Sequence, residues 1–185
     1  MLLSIDPGIN NCGIVVLDTS NQFTVVESIL VKNARKFTDD EKTIEKEYGT
    51  RAVKVDSILK AIRSLLLKYD IDTVVVEAPF YNALTPVAYG SLLEVIFALK
   101  YDIIVKGKYI FKLIEPLLVK KMFTSKGMAA KDLIKDFLIK KKEDGSILIA
   151  IDIDTLSEHE IDAIAVGFVY NLMLKEGNKN VDNNS

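Results

Sequence analysis

Apolar and polar positions divide the chain into short blocks. Leu2–Leu17 is an apolar run that carries one carboxylate, Asp6, to its end, turns at Pro7-Gly8 and resumes from Gly13. Two strands joined by a short polar loop account for this pattern. Asp18–Asn21 is a cluster of turn formers, and Phe23–Val31, rich in β-branched residues, predicts a third strand. Three strands with short connections form an antiparallel meander. Residues 32–50 are polar, carry no apolar stripe, and predict a loop or an exposed helical turn. From Val53 to Leu67 apolar residues recur at helical spacing, so an amphipathic helix is expected over about Thr50–Tyr69. Thr73–Val76 then predicts a buried strand ending in Glu77, just before Pro79.

In the second half, Pro86–Tyr101 predicts a helix with Val87, Leu92, Leu93, Ile96, Phe97 and Leu99 inward. Ile103–Val105 and Tyr109–Ile114 are short apolar runs around a Lys-Gly-Lys turn, and Glu115-Pro116 suits a strand feeding a helix. A short helix over Leu117–Phe123, a lysine-rich helix over Ala129–Lys142 and a short apolar run at Ile147–Ile151 follow. Ser157 and Glu160 have the spacing of a capping box ahead of a last helix running to about Lys175. Gly177–Ser185 is a polar, Asn-rich tail expected to be disordered. The expected fold class is α/β, a mixed five-stranded sheet (antiparallel meander, then parallel strands) flanked by helices. It forms one domain over residues 1–176.

Composition changes this picture little: 185 residues, 49% apolar and 27% charged, suit one globular domain. No window approaches the roughly 18 apolar residues of a membrane span, and Asp6 and Pro7 break the only signal-like core. The single cysteine, Cys12, excludes an internal disulfide and fits a reducing compartment. With no base near it in sequence, it reads as a small core residue. Charge changes the picture more. Residues 100–142 hold twelve lysines against four acidic residues, on a chain whose net charge is −2. A basic segment on an acidic body is the pattern of a phosphate-binding face; a solvated helix face is the alternative.

Burying Asp6 at a strand end would cost several kcal/mol unless something positive sits beside it. An aspartate kept there suggests a metal ion or a phosphate-bearing ligand; the alternative is that Asp6 caps the turn. Glu77 repeats the arrangement at the end of a later strand. Asp162 falls early in the last helix with His159 three residues before it, on the same face. Separate elements bringing carboxylates and one imidazole to a single point form a divalent-metal arrangement, suited to Mg²⁺ or Mn²⁺. Two such ions about 4 Å apart could activate a water and stabilise the leaving oxygen of a phosphodiester.

The segments around Asp6 (Ser-Ile-Asp-Pro-Gly-Ile-Asn-Asn-Cys-Gly), Glu77 (Val-Val-Glu-Ala-Pro-Phe) and His159 (His-Glu-Ile-Asp-Ala-Ile-Ala) stand in that order. Together with Val119-Lys120 and, eleven residues on, Lys131, they closely resemble the RuvC Holliday-junction resolvases over roughly residues 2–172. The resemblance implies a ribonuclease-H-like fold, a homodimer, and metal-dependent, symmetric nicking of four-way DNA junctions. Carried over, it makes Asp6, Glu77 and Asp162 catalytic metal ligands and puts His159 where members have Asp or His. Asp152, Asp154 or Glu158 could replace His159 as the fourth ligand. Lys120 and Lys131 match residues contacting the scissile backbone, and Phe80 matches an aromatic that stacks on an unpaired base. Core packing is the alternative for Phe80 and for His159. The resemblance also implies two Mg²⁺ ions per site, replaceable by Mn²⁺, no membrane partner, and a cytoplasmic setting, the host's for a phage member.

Three other readings compete. A looser nuclease would cut flaps, forks and other branched DNA with the same residues. A non-catalytic scaffold of this fold would bind nucleic acid, but all four ligand positions being filled argues against it. An actin-like ATPase would need a second matching half, and the sequence contains no internal repeat.

Overall fold

The computed structural model describes residues 1–81, 83–84, 86–106, 109–124 and 131–182. Alternation along the first strand sets the architecture. In β1 (Leu2–Asp6), Leu3 and Ile5 enter the core on one face of the sheet. Leu2, Ser4 and Asp6 point to the other, where Ser4 Oγ donates to the Ala163 carbonyl at 2.6 Å. β2 (Asn11–Asp18) runs antiparallel to β1 with Asp6 opposite Gly13, and β3 (Thr24–Lys32) completes the expected meander.

α1 (Asp39–Tyr48) and α2 (Thr50–Lys68) lead to β4 (Thr73–Glu77), which lies parallel to β1. α3 (Pro86–Lys106) leads to β5 (Ile110–Ile114), parallel to β4. α4 (Pro116–Thr124) and α5 (Lys131–Glu143) precede β6 (Leu148–Ile149), and α6 (Glu158–Asp182) follows it. The strand order is β5-β4-β1-β2-β3-β6. One core packs α2 and α3 on Leu3, Ile5, Ile14, Val16, Val74 and Val76; the other packs α4, α5 and α6 on the opposite face.

Four differences from the sequence reading have physical causes. The sheet has six strands rather than five, because Leu148 and Ile149 pair with Thr24 and Val25. A two-residue strand is too short to show a period. Part of 32–50 is a full helix, α1, although none of its residues is buried. A capping box between Thr38 and Glu41 and a two-pronged ion pair from Arg35 to Glu41 hold it. In α3, Val87, Leu93 and Phe97 are exposed while Val95, Ile96, Leu99 and Ile103 are buried. That helix is apolar on more than one face, so periodicity does not choose which side turns inward, and Ile103–Val105 continues it. Finally, α6 extends to Asp182, beyond the expected end near Lys175.

Candidate active site

The strand period places the first two acids. Val75 lies on the α6 side of β4, so Glu77, two residues on, lies there as well. Ile5 pairs with Val76 across the parallel strands, which sets Asp6 beside Glu77 at neighbouring strand ends. Beyond β1, Gly13 faces the start of α6. A Cβ built on Gly13 would stand 2.0 Å from the His159 carbonyl oxygen, so only glycine lets the helix come this close.

The expected capping box fixes where α6 begins. Ser157 donates through its backbone N–H and its Oγ to Glu160 Oε2 at 2.9 and 2.7 Å, and Ser28 Oγ donates to Glu160 Oε1 at 2.8 Å. Tied thus to β3, the first turns of α6 present His159 and Asp162 to the strand ends. His159 Nδ1 lies 2.6 Å from Asp6 Oδ2.

Asp6, Glu77, His159 and Asp162 line one cleft of about 350 Å³, together with Phe80 and Lys120. Asp6 is only 8% exposed. The Glu77 carboxyl is pushed up to about 8, chiefly by burial, then by the negative charges of Asp6 and Asp162 and a hydrogen bond with Asp6; Lys120 opposes this weakly. Among the described residues, acidic charge in the cleft therefore exceeds what Lys120 neutralises. Phe80 is 61% exposed, so core packing does not describe it. Burial raises the Cys12 thiol to about 12, as suits a core residue rather than a nucleophile.

Lys131 begins α5, but its side chain lies outside the described residues. Asp152, Asp154 and Glu158 do not line the cleft. Asp152 caps a 3₁₀ turn by accepting the Asp154 N–H at 3.0 Å, and Asp154 pairs with Lys135 at 2.7 Å. Two contributors escaped the sequence reading. Gly13 was visible only as the start of an apolar run. Asn33, 2% exposed, bonds the loop after Asp6 to α2 from a polar stretch with no distinguishing pattern.

The donor set suits a hard divalent cation: three carboxylates and one imidazole, partly desolvated, with excess negative charge. Among the described residues no three such side chains already stand as a metal-holding group. Asp6 is instead turned to His159, and Glu77 to Asp6.

No family profile and no curated protein matches this chain. Solved structures do. Thermus thermophilus RuvC in complex with a Holliday-junction substrate matches with a TM-score of 0.65 at 18% identity, over 95% of each chain. A further structure of Thermus thermophilus RuvC gives 0.64 at 18% identity, over 95% of this chain and 96% of that one. The yeast mitochondrial Holliday-junction resolvase gives 0.61 at 13% identity, over 95% of this chain and 82% of the other. The fold is thus the ribonuclease-H-like α/β architecture. More narrowly, it is the version seen in RuvC and the mitochondrial resolvase.

Proposed function

We propose that this protein is a divalent-metal-dependent endonuclease that resolves four-way DNA junctions by paired phosphodiester hydrolysis. One observation carries the reading: three acids and a histidine from β1, β4 and α6 share a single cleft with Lys120 and an exposed Phe80. Asp6, Glu77, Asp162 and His159 would hold Mg²⁺ or Mn²⁺, two ions when fully loaded. The metal would supply a nucleophilic water near neutral pH and neutralise charge on the phosphodiester.

The chain's own groups do the rest. Lys120 offers the positive charge at the cleft that draws in and registers a backbone phosphate. His159 holds Asp6 in place through Nδ1. Phe80 at the rim offers a flat face to an unpaired base, and such stacking is worth about 1–3 kcal/mol. Lys131, at the head of α5, would add a second backbone contact.

A homodimer accords with the exposed apolar stripe on α3. Val87, Phe97, Tyr101 and Val105 are each more than 60% exposed, and the rings of Phe97 and Tyr101 stack at 6.4 Å. A second copy would cover this stripe and give a two-fold enzyme for a two-fold substrate. No helix among the described residues is long and apolar enough to cross a membrane.

The test is a panel of four-way junction, fork, flap and linear duplex of matched sequence, incubated with Mg²⁺ or Mn²⁺. Cutting of the junction alone supports resolution. Cutting of every branched substrate makes the protein a general debranching nuclease, and binding without cutting in either metal overturns the enzymatic reading.

A further inference from the structure

A second cavity, of about 270 Å³, opens beside the acid cleft and shares Leu92 and His159 with it. Its other walls are the loop from Pro7 to Asn11 and the first turns of α3 at Ala88 and Ser91. Among the described residues no lysine or arginine lines it, whereas the cleft next door has Lys120. Its polar residues are Asn10, Asn11, Ser91 and the shared His159. The Ser91 hydroxyl is already engaged, donating to the Ala88 carbonyl at 2.9 Å.

The loop is held far more firmly than a connection between two strands requires. Asn33 donates through Nδ2 to the carbonyls of Ile9 and Lys54 at 2.9 and 3.1 Å, and through its backbone N–H to the Asn10 carbonyl at 2.8 Å. Its Oδ1 is buried without a hydrogen-bond partner among the described residues, a penalty that comes with fixing the loop in one shape. A Cβ on Gly8 would stand 2.2 Å from the Asn11 carbonyl oxygen, so the loop coils too tightly for a larger residue there. Lys54 Nζ donates to Asn10 Oδ1 at 2.7 Å. That bond orients the amide and leaves the Nδ2 hydrogens of Asn10 as donors for a ligand.

A rigid, amide-bearing cavity contiguous with a phosphodiester-cutting cleft, with no lysine or arginine lining it among the described residues, suits a nucleobase. We infer that the cavity between the Pro7–Asn11 loop and the start of α3 is a subsite for a base next to the cut phosphate, with Asn10 selecting bases that present hydrogen-bond acceptors. The inference rests on the nuclease reading above and adds to it a source of sequence preference. Side-chain amides read base edges through such donor and acceptor patterns, and with Oδ1 held by Lys54 the remaining Nδ2 donor discriminates by roughly two- to tenfold.

The test measures initial cutting rates with Mg²⁺ on four-way junctions that differ only in the bases flanking the cut. Wild-type protein is compared with Asn10→Ala, Asn10→Asp and Ala88→Leu; positions 10 and 88 are both exposed, so the fold should tolerate the changes. The wild type is expected to prefer acceptor-bearing bases at one flanking position. Asn10→Ala should reduce that preference by roughly two- to tenfold. Asn10→Asp should move it to bases that present an amine, and Ala88→Leu, which fills the cavity, should flatten it. Wild-type cutting with a base profile that all three variants leave unchanged overturns the subsite and spares the nuclease reading. Failure of the wild type to cut any junction overturns both.

Discussion

Glu77→Gln should stabilise the metal-free protein while abolishing its cutting. In the folded chain the Glu77 carboxyl is raised from its ordinary 4.5 to about 8 by burial and by the neighbouring Asp6 and Asp162. Unfolded, it ionises near 4.5, so between these values the native state holds a proton that the unfolded chain has released. The stability associated with Glu77 is therefore complete below pH 4.5 and is lost as pH rises through about 8. At about 1.4 kcal/mol per pH unit, the loss is bounded by about 5 kcal/mol at pH 9. Sharing of charge with Asp6 should bring it to about 2–4 kcal/mol. Glutamine keeps the shape, stays neutral and can donate to Asp6 as the protonated acid does. Urea unfolding in EDTA should show the variant and wild type nearly equal at pH 4. At pH 9 the variant should be more stable by about 2–4 kcal/mol. Mg²⁺ should then raise the wild type's stability and leave the variant's almost unchanged. A stability difference independent of pH, or a variant less stable at pH 9, would refute the account of the acid cluster.

Gly13→Ala puts a methyl group against the backbone of His159. It should cost about 3 kcal/mol or more in denaturant unfolding and depress cutting through the displaced α6, and a variant as stable and active as wild type contradicts the close approach. Phe80→Ala, at an exposed site, should leave the unfolding midpoint within error yet slow junction cutting by roughly ten- to a hundredfold in single-turnover assays, with a smaller effect on binding. Phe97→Glu on the exposed face of α3 should turn a dimer into monomers by sedimentation without loss of helicity; a wild type that sediments as a monomer removes the dimer from the account.

Much of the sheet was legible because β1, β2 and β4 are buried on both faces and bounded by turn formers. Asp6 and Glu77 stood out because each is a lone carboxylate ending an apolar strand. Strand alternation then placed both on one face, and β1–β4 pairing brought them together. The Ser157–Glu160 spacing foretold the helix start that presents His159 and Asp162. What was hidden depends on long-range geometry. Whether Gly13 is indispensable is settled by a helix almost 150 residues away, and local sequence says nothing of it. The α3 residues Val87 and Phe97 looked inward because every face of that helix carries apolar residues, and only packing selects Val95, Leu99 and Ile103. α1 escaped notice because a capping box and an ion pair hold it rather than an apolar stripe.

In a dimer the two acid clefts would each nick one of two opposed strands of a four-way junction. The most direct test maps the nicks made by wild type and by Asp6→Asn on a synthetic junction in Mg²⁺, with junction binding measured on the same samples. Wild type should make paired nicks at symmetric positions that yield ligatable duplexes, and Asp6→Asn should bind the junction nearly as well and make no nicks. Equal cutting by the two proteins, or loss of binding and cutting together in a folded variant, would contradict cutting at the acid clefts.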